Sequence, residues 1–156
     1  MIKFSLLAAA MLLAVPAAAQ TGPVDAYDDG DWWLIKPPSG DLIILSNGHG
    51  KRTGDVVELE LFGFFRTQRK DNVIALRARS PVDCAAMTGD MWVVTTFYSD
   101  RAPVEAEGER AGMQPFVGAA PTYDFACTDD RTGMRHFTSR SRKAVIEQIL
   151  RELPAD

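Results

Sequence analysis

Cysteine and histidine are scarce in this chain, with two of each in 156 residues. The histidines, His49 and His136, have no ligand spacing to each other or to the cysteines, so a Cys/His metal centre is not expected. Nucleophile and metalloprotease motifs are missing too: there is no GxSxG, SxxK or HExxH. No glycine-rich loop leads into Lys-Ser or Lys-Thr. Asn47-Gly48-His49-Gly50 shares only its glycine content with such a loop and reads as a turn. Basic residues are outnumbered, 17 against 21 acidic, and the net charge is −4. That balance argues against nucleic-acid binding, which needs many phosphate-neutralising cations. The acidic clusters Asp25, Asp28, Asp29, Asp31 and Asp129, Asp130 do not match a calcium loop. No cofactor and no metal is therefore expected. Beyond Val15 no apolar run is long enough to span a bilayer.

What the chain does have begins with its first 19 residues. Lys3 is followed by a run from Phe4 to Val15 that is apolar apart from Ser5, then by Pro16 and Ala17-Ala18-Ala19. This is the order of a secretory signal, with cleavage expected before Gln20. Cleavage removes one lysine, leaving 16 basic and 21 acidic residues and a net charge of −5. The 137 residues that remain suffice for one domain. The expected organisation is a signal peptide over 1–19, a flexible lead-in over 20–31 and a single domain over 32–156. A periplasmic or secreted location follows. In that setting Cys84 and Cys127 read best as one disulfide. A metal site or a reactive thiol competes, but Cys84 follows Asp83 and has no CxxC partner. On the chain-entropy account, closing a loop of about 44 residues stabilises by roughly 4 kcal/mol.

Apolar periodicity predicts a fold of the α+β class. Strands are expected at Trp32-Trp33-Leu34-Ile35 and Leu42-Ile43-Ile44-Leu45, separated by the turn Pro37-Pro38-Ser39-Gly40. Val57, Leu59 and Leu61 alternate with Glu58 and Glu60, a half-buried strand. The pattern slips at Phe62, Phe64 and Phe65, and a bulge at Gly63 would re-aim these rings inward. Left exposed, they would form an aromatic patch for a partner. Arg66 to Asn72 reads as a basic hairpin connection. Ile74, Leu76 and Ala78 alternate with Arg77 and Arg79, so glutamates and arginines should meet across the strands. Met91 to Tyr98 is β-prone on both faces, as a central strand would be. Ser99 to Gly112 reads as a solvated acidic loop, and Thr122 as the cap of a short helix through Cys127.

From Ser141 to Leu153 the residues Val145, Ile146, Ile149, Leu150 and Leu153 fall on one helical face. Ser139 or Ser141 can cap this helix and Pro154 ends it. Arg140, Arg142 and Lys143 sit at its positive end, a mildly unfavourable place for cations, and read as a solvated cluster or an anionic contact. The sum is an antiparallel β-sheet of about 5–6 strands with a C-terminal amphipathic helix and one disulfide.

Several of these residues carry a family resemblance. They are a tryptophan at Trp32 or Trp33, the glycine-bounded strand Leu42 to Leu45, and Val82-Asp83-Cys84 at a strand end. Tyr98-Ser99-Asp100, Gln114-Pro115-Phe116-Val117 and Ala126-Cys127 complete the set. Over Trp32 to Cys127 the chain resembles the surface-adhesin protein E family of small exported bacterial proteins. The resemblance implies an antiparallel sheet, a Cys84–Cys127 bridge and non-catalytic behaviour. The family is named for a surface protein that binds host extracellular-matrix components, and most relatives have no assigned role. This chain departs from the pattern at Gln114 and Phe116, where the family usually has a tryptophan, and in continuing past the second cysteine with a helix.

The functional expectation is an exported, non-catalytic binding domain with a protein partner. Trp33, Phe62, Phe64 and Phe65 are its candidate binding patch. The alternatives are an envelope assembly or structural accessory, or an enzyme built from scattered residues such as His49, Asp83 and His136. If the disulfide is present, thiol labelling of the denatured, unreduced protein finds no free cysteine. Two labelled thiols would refute it.

Overall fold

The computed structural model describes residues 30–35, 41–116 and 120–152. The signal-like segment, most of the lead-in, the Pro37–Gly40 turn, residues 117–119 and the Pro154 stop lie outside the described residues. Among those described, ten strands and two helices follow in chain order. The strands are β1 (Trp32–Leu34), β2 (Leu42–Asn47), β3 (Lys51–Thr53), β4 (Val56–Phe65), β5 (Val73–Asp83), β6 (Thr88–Gly89), β7 (Trp92–Tyr98), β8 (Val104–Glu105) and β9 (Gln114–Pro115). Then come helix α1 (Pro121–Cys127), strand β10 (Arg135–His136) and helix α2 (Arg142–Glu152).

All strands form one antiparallel sheet. Its spine is the hairpin of β4 and β5, in unbroken register from Val56 opposite Asp83 to Phe64 opposite Ala75. At the hairpin tip Asn72 takes a left-handed backbone (φ 59°), which asparagine tolerates. Each spine strand has a divided outer neighbour. β2 and β3 share the free edge of β4, and β6 and β7 share that of β5. β1 and β10 extend one side, β8 and β9 the other. The sheet thus has ten strands where about 5–6 were expected. The five added strands, β3, β6, β8, β9 and β10, have two or three residues each, too few to show a period.

Each face of the sheet carries one helix over only part of its area. On the first face Trp32, Leu34, Ile43, Leu45, Phe62 and Phe64 pack with Phe97, Phe137 and the Val145, Ile146 and Ile149 side of α2. On the second, Val57, Leu59, Leu61, Ala78 and Val82 pack with Phe125 of α1. The spine therefore changes its buried face between Leu61 and Phe62. This is the slip seen in the sequence. It needs no bulge at Gly63, where register continues on both sides. The irregularities lie instead between β5 and β7, where Ile74 and Val94 are skipped by the pairing.

The helices also differ in detail from expectation. α1 begins at Pro121 with Ala120 at its N-cap, so Thr122 lies inside it. Ser141 caps α2 through its hydroxyl, which accepts from the Ala144 N–H at 3.3 Å. Arg142 is not a solvated cation: it is 3% exposed, with its guanidinium 4.0 Å from the Phe62 ring centroid. Cation–π attraction offsets the cost of a charge at this helix end. The acidic stretch after β7 is also more than solvated loop, since β8 pairs with β7.

The Cys84–Cys127 bridge joins the end of β5 to the end of α1 across 43 residues. No helix among the described residues is long and apolar enough to cross a membrane. The two cores meet only through the backbone of the sheet, so mutations in them should be independent. Ile149→Val is expected to cost about 0.5–1.5 kcal/mol and Leu59→Ala about 2–5 kcal/mol. In urea unfolding the double variant should equal their sum within about 0.5 kcal/mol. A larger coupling would mean that the faces communicate.

Candidate functional site

Strand alternation sends Trp32 and Trp33 to opposite faces. Trp32 enters the α2 core, while Trp33 stays partly buried beside α1. Both histidines of the chain converge on Trp33. His136 lies directly opposite it in the β1–β10 pair, with the rings stacked at 4.4 Å. His49, in the loop after β2, approaches Trp33 at 4.9 Å and stacks on Phe125 at 5.1 Å. One carboxylate organises the group. Asp31 contacts His136 Nε2 at 2.6 Å and accepts from the Trp33 indole N–H at 3.3 Å. Beside the stack lies a hollow of about 260 Å³, lined by His49, Arg52, Phe125, Thr128 and Arg131 among others. Arg52 donates to the Ala126 carbonyl at 3.1 Å and passes 3.7 Å from Cys84 Sγ, tying β3 to the disulfide.

Chemically this cluster offers a π-surface and an Asp–His pair able to exchange a proton. Asp83, grouped with the histidines in the enzyme alternative, is occupied elsewhere. Its Oδ1 accepts from the Ala85 and Ala86 N–H groups at 3.0 and 2.8 Å and shapes the turn after Cys84.

The four aromatics of the expected patch do not act together. Phe62 and Phe64 are buried, at 3% and 4% exposure, because β4 turns those positions toward α2. They are removed from the candidate surface. Phe65 points to the second face opposite Leu42, with the Arg69 guanidinium 4.6 Å from its ring centroid. A different surface lies next to it. Ile44, Gly63, Leu76, Thr96 and Val104 are successive cross-strand partners over β2, β4, β5, β7 and β8. They form one row on the second face; Ile44 at one end packs against the α1-side core, and none of the five is buried. Leu42 folds over Gly63: a Cβ there would lie 3.1 Å from Leu42 Cδ1. The sequence hinted at this row in the strands that are apolar on both faces. Only the register assembles it.

The uncovered half of the first face is charged. Glu60 stands opposite Arg79, as the strand pattern predicts. Arg77 stands opposite Phe62, not a glutamate, and reaches Glu105 at 3.2 Å and Thr95 Oγ1 at 3.0 Å. Among the described residues no group of three or more His, Cys, Asp or Glu converges as metal ligands would.

The hydrogen bond from His136 holds the Asp31 carboxyl below its ordinary value of 3.8. A carboxyl depressed by folding adds stability above its unfolded pKa and loses it as pH falls through the folded one. Both groups are about half exposed, so solvent screening limits the pair to about 0.2–1 kcal/mol. Asp31→Asn should therefore be less stable than the parent at pH 6, by thermal unfolding. The difference should close as pH drops below about 4. A gap that persists at lower pH would count against the pair.

A comparison of the chain with protein-family models, curated proteins and solved structures finds no match.

Proposed function

We propose that this chain is an exported, non-catalytic interaction domain of the bacterial cell envelope, periplasmic or secreted, similar in kind to surface-adhesin protein E. The observation that carries this reading is the uncharged row Ile44–Gly63–Leu76–Thr96–Val104, which packs on the α1-side core at Ile44 and which the described residues leave unburied. A flat strand surface with uncharged side chains suits a protein partner, because contact area there is gained without desolvating charges. Phe65 and Tyr98 flank it, each capped by an arginine, Arg69 and Arg101. Aromatic and arginine side chains are the types most often found at energetic centres of interfaces. The disulfide supports export, since such bonds persist in oxidising compartments.

A second reading, an enzyme, is favoured by one feature, the Asp31–His136 contact beside Trp33. The two readings predict different losses. Immobilised mature protein should capture a partner from envelope extract, and Thr96→Lys with Val104→Glu should abolish that capture while His136→Gln leaves it unchanged. Capture that survives the row variants but fails with His136→Gln would move the function to the histidine cluster.

A further inference from the structure

The hollow of about 260 Å³ at the end of α1 is needed by neither the uncharged row nor the Asp31–His136 contact. The chain has a net charge of −4, yet three basic side chains line this hollow, His49, Arg52 and Arg131, against one acidic, Asp129. The basic groups come from the loop after β2, from β3 and from the loop after α1. His49 and Arg52 are exposed and Arg131 is half-buried, so an ion reaches all three from solvent. The hollow is smaller than most small-molecule sites, about 300–1,000 Å³, and suits one small ion with its water.

The fold holds each basic group in place. Arg131 Nη1 donates to the Asp124, Thr128 and Asp130 carbonyls at 3.2, 2.6 and 3.1 Å, which answers the negative end of α1. Its guanidinium lies 5.0 Å from the Phe125 ring centroid. Arg52 is tied through Nη2 to the Ala126 carbonyl at 3.1 Å. His49 is stacked on Phe125 and tilted against Trp33. None of the three forms an ion pair with a described residue, and neither does Asp129. Among the described residues, Arg131 Nε and Nη2, Arg52 Nε and Nη1 and the His49 ring nitrogens make no hydrogen bond. A guanidinium is a fixed fork of N–H donors whose geometry matches an oxoanion. Two such forks, each already anchored at one nitrogen, therefore face this hollow with donors to spare.

We propose that this hollow binds inorganic phosphate. The remaining donors of Arg52, Arg131 and His49 receive its oxygens, and Asp129 selects it among oxoanions. Near neutral pH inorganic phosphate keeps at least one proton, whereas sulfate and most of a phosphate monoester keep none. A protonated phosphate oxygen donates to the Asp129 carboxylate, while an unprotonated anion meets only repulsion there. These four side chains lie outside the uncharged row, so either assignment can fail without the other.

The test is calorimetric titration of the protein with sodium phosphate, sodium sulfate and glycerol 3-phosphate, in a buffer free of other oxoanions. Phosphate should bind, and the other two should bind at least about tenfold more weakly, the effect of one hydrogen bond to a charged group. Arg52→Gln and Arg131→Gln should each weaken phosphate binding at least about tenfold for the same reason. Asp129→Asn should erase the preference for phosphate over sulfate. Arg131 also serves the end of α1, so circular dichroism checks that its variant folds. If it does not, Arg52→Gln carries the test, because Arg52 is exposed on a three-residue strand. The proposal is overturned if phosphate does not bind, if its binding is unchanged in a folded Arg52→Gln, or if sulfate or glycerol 3-phosphate binds as tightly.

Discussion

The hairpin of β4 and β5 holds its register without a break from Val56–Asp83 to Phe64–Ala75. Side chains alternate strictly along such a pair, so register alone decides which residues share a face. It gives Val57, Leu59 and Leu61 to one side and Phe62 and Phe64 to the other. A one-residue slip would exchange both sets and empty both cores at once. The short outer strands could not correct it, because each is positioned by the spine. This constraint also assembles the surfaces. The uncharged row and the charged half of the first face are the same strands seen from opposite sides.

Much of this was legible in the sequence, and the limit has a physical origin. The alternation in Val57–Leu61 and Ile74–Ala78 and the helical face of Val145, Ile146 and Ile149 are local, and local patterns survive folding. Gly63 misled because glycine in a slipping pattern usually signals a bulge. Here the slip is a change of buried face, which a sequence period cannot distinguish from an inserted residue. Arg142 misled because its burial depends on three distant rings, Trp32, Phe62 and Phe97. The two-residue strands have no pattern to read.

The candidate sites were less legible than the fold. His49 and His136 stand 87 positions apart, and the β10 pairing alone brings the second beside Trp33. Arg52 and Arg131 share a hollow because the Ala126 carbonyl holds Arg52 against the end of α1, a contact without a sequence marker. The Cys84–Cys127 pairing was the exception, because two cysteines allow only one intramolecular bridge.

The placement of that bridge has a temporal consequence. Chains emerge from synthesis N-terminal end first, and segments organise as they appear. Cys127 precedes β10 and α2, so the bridge and the α1 side can close while the last stretch is still to come. Until α2 arrives, Ile43, Leu45, Phe62, Phe64 and Phe97 form an open apolar sheet. A chain that folded in this order would be fastened on its α1 side while its α2 side was still open, and docking of α2 would close it.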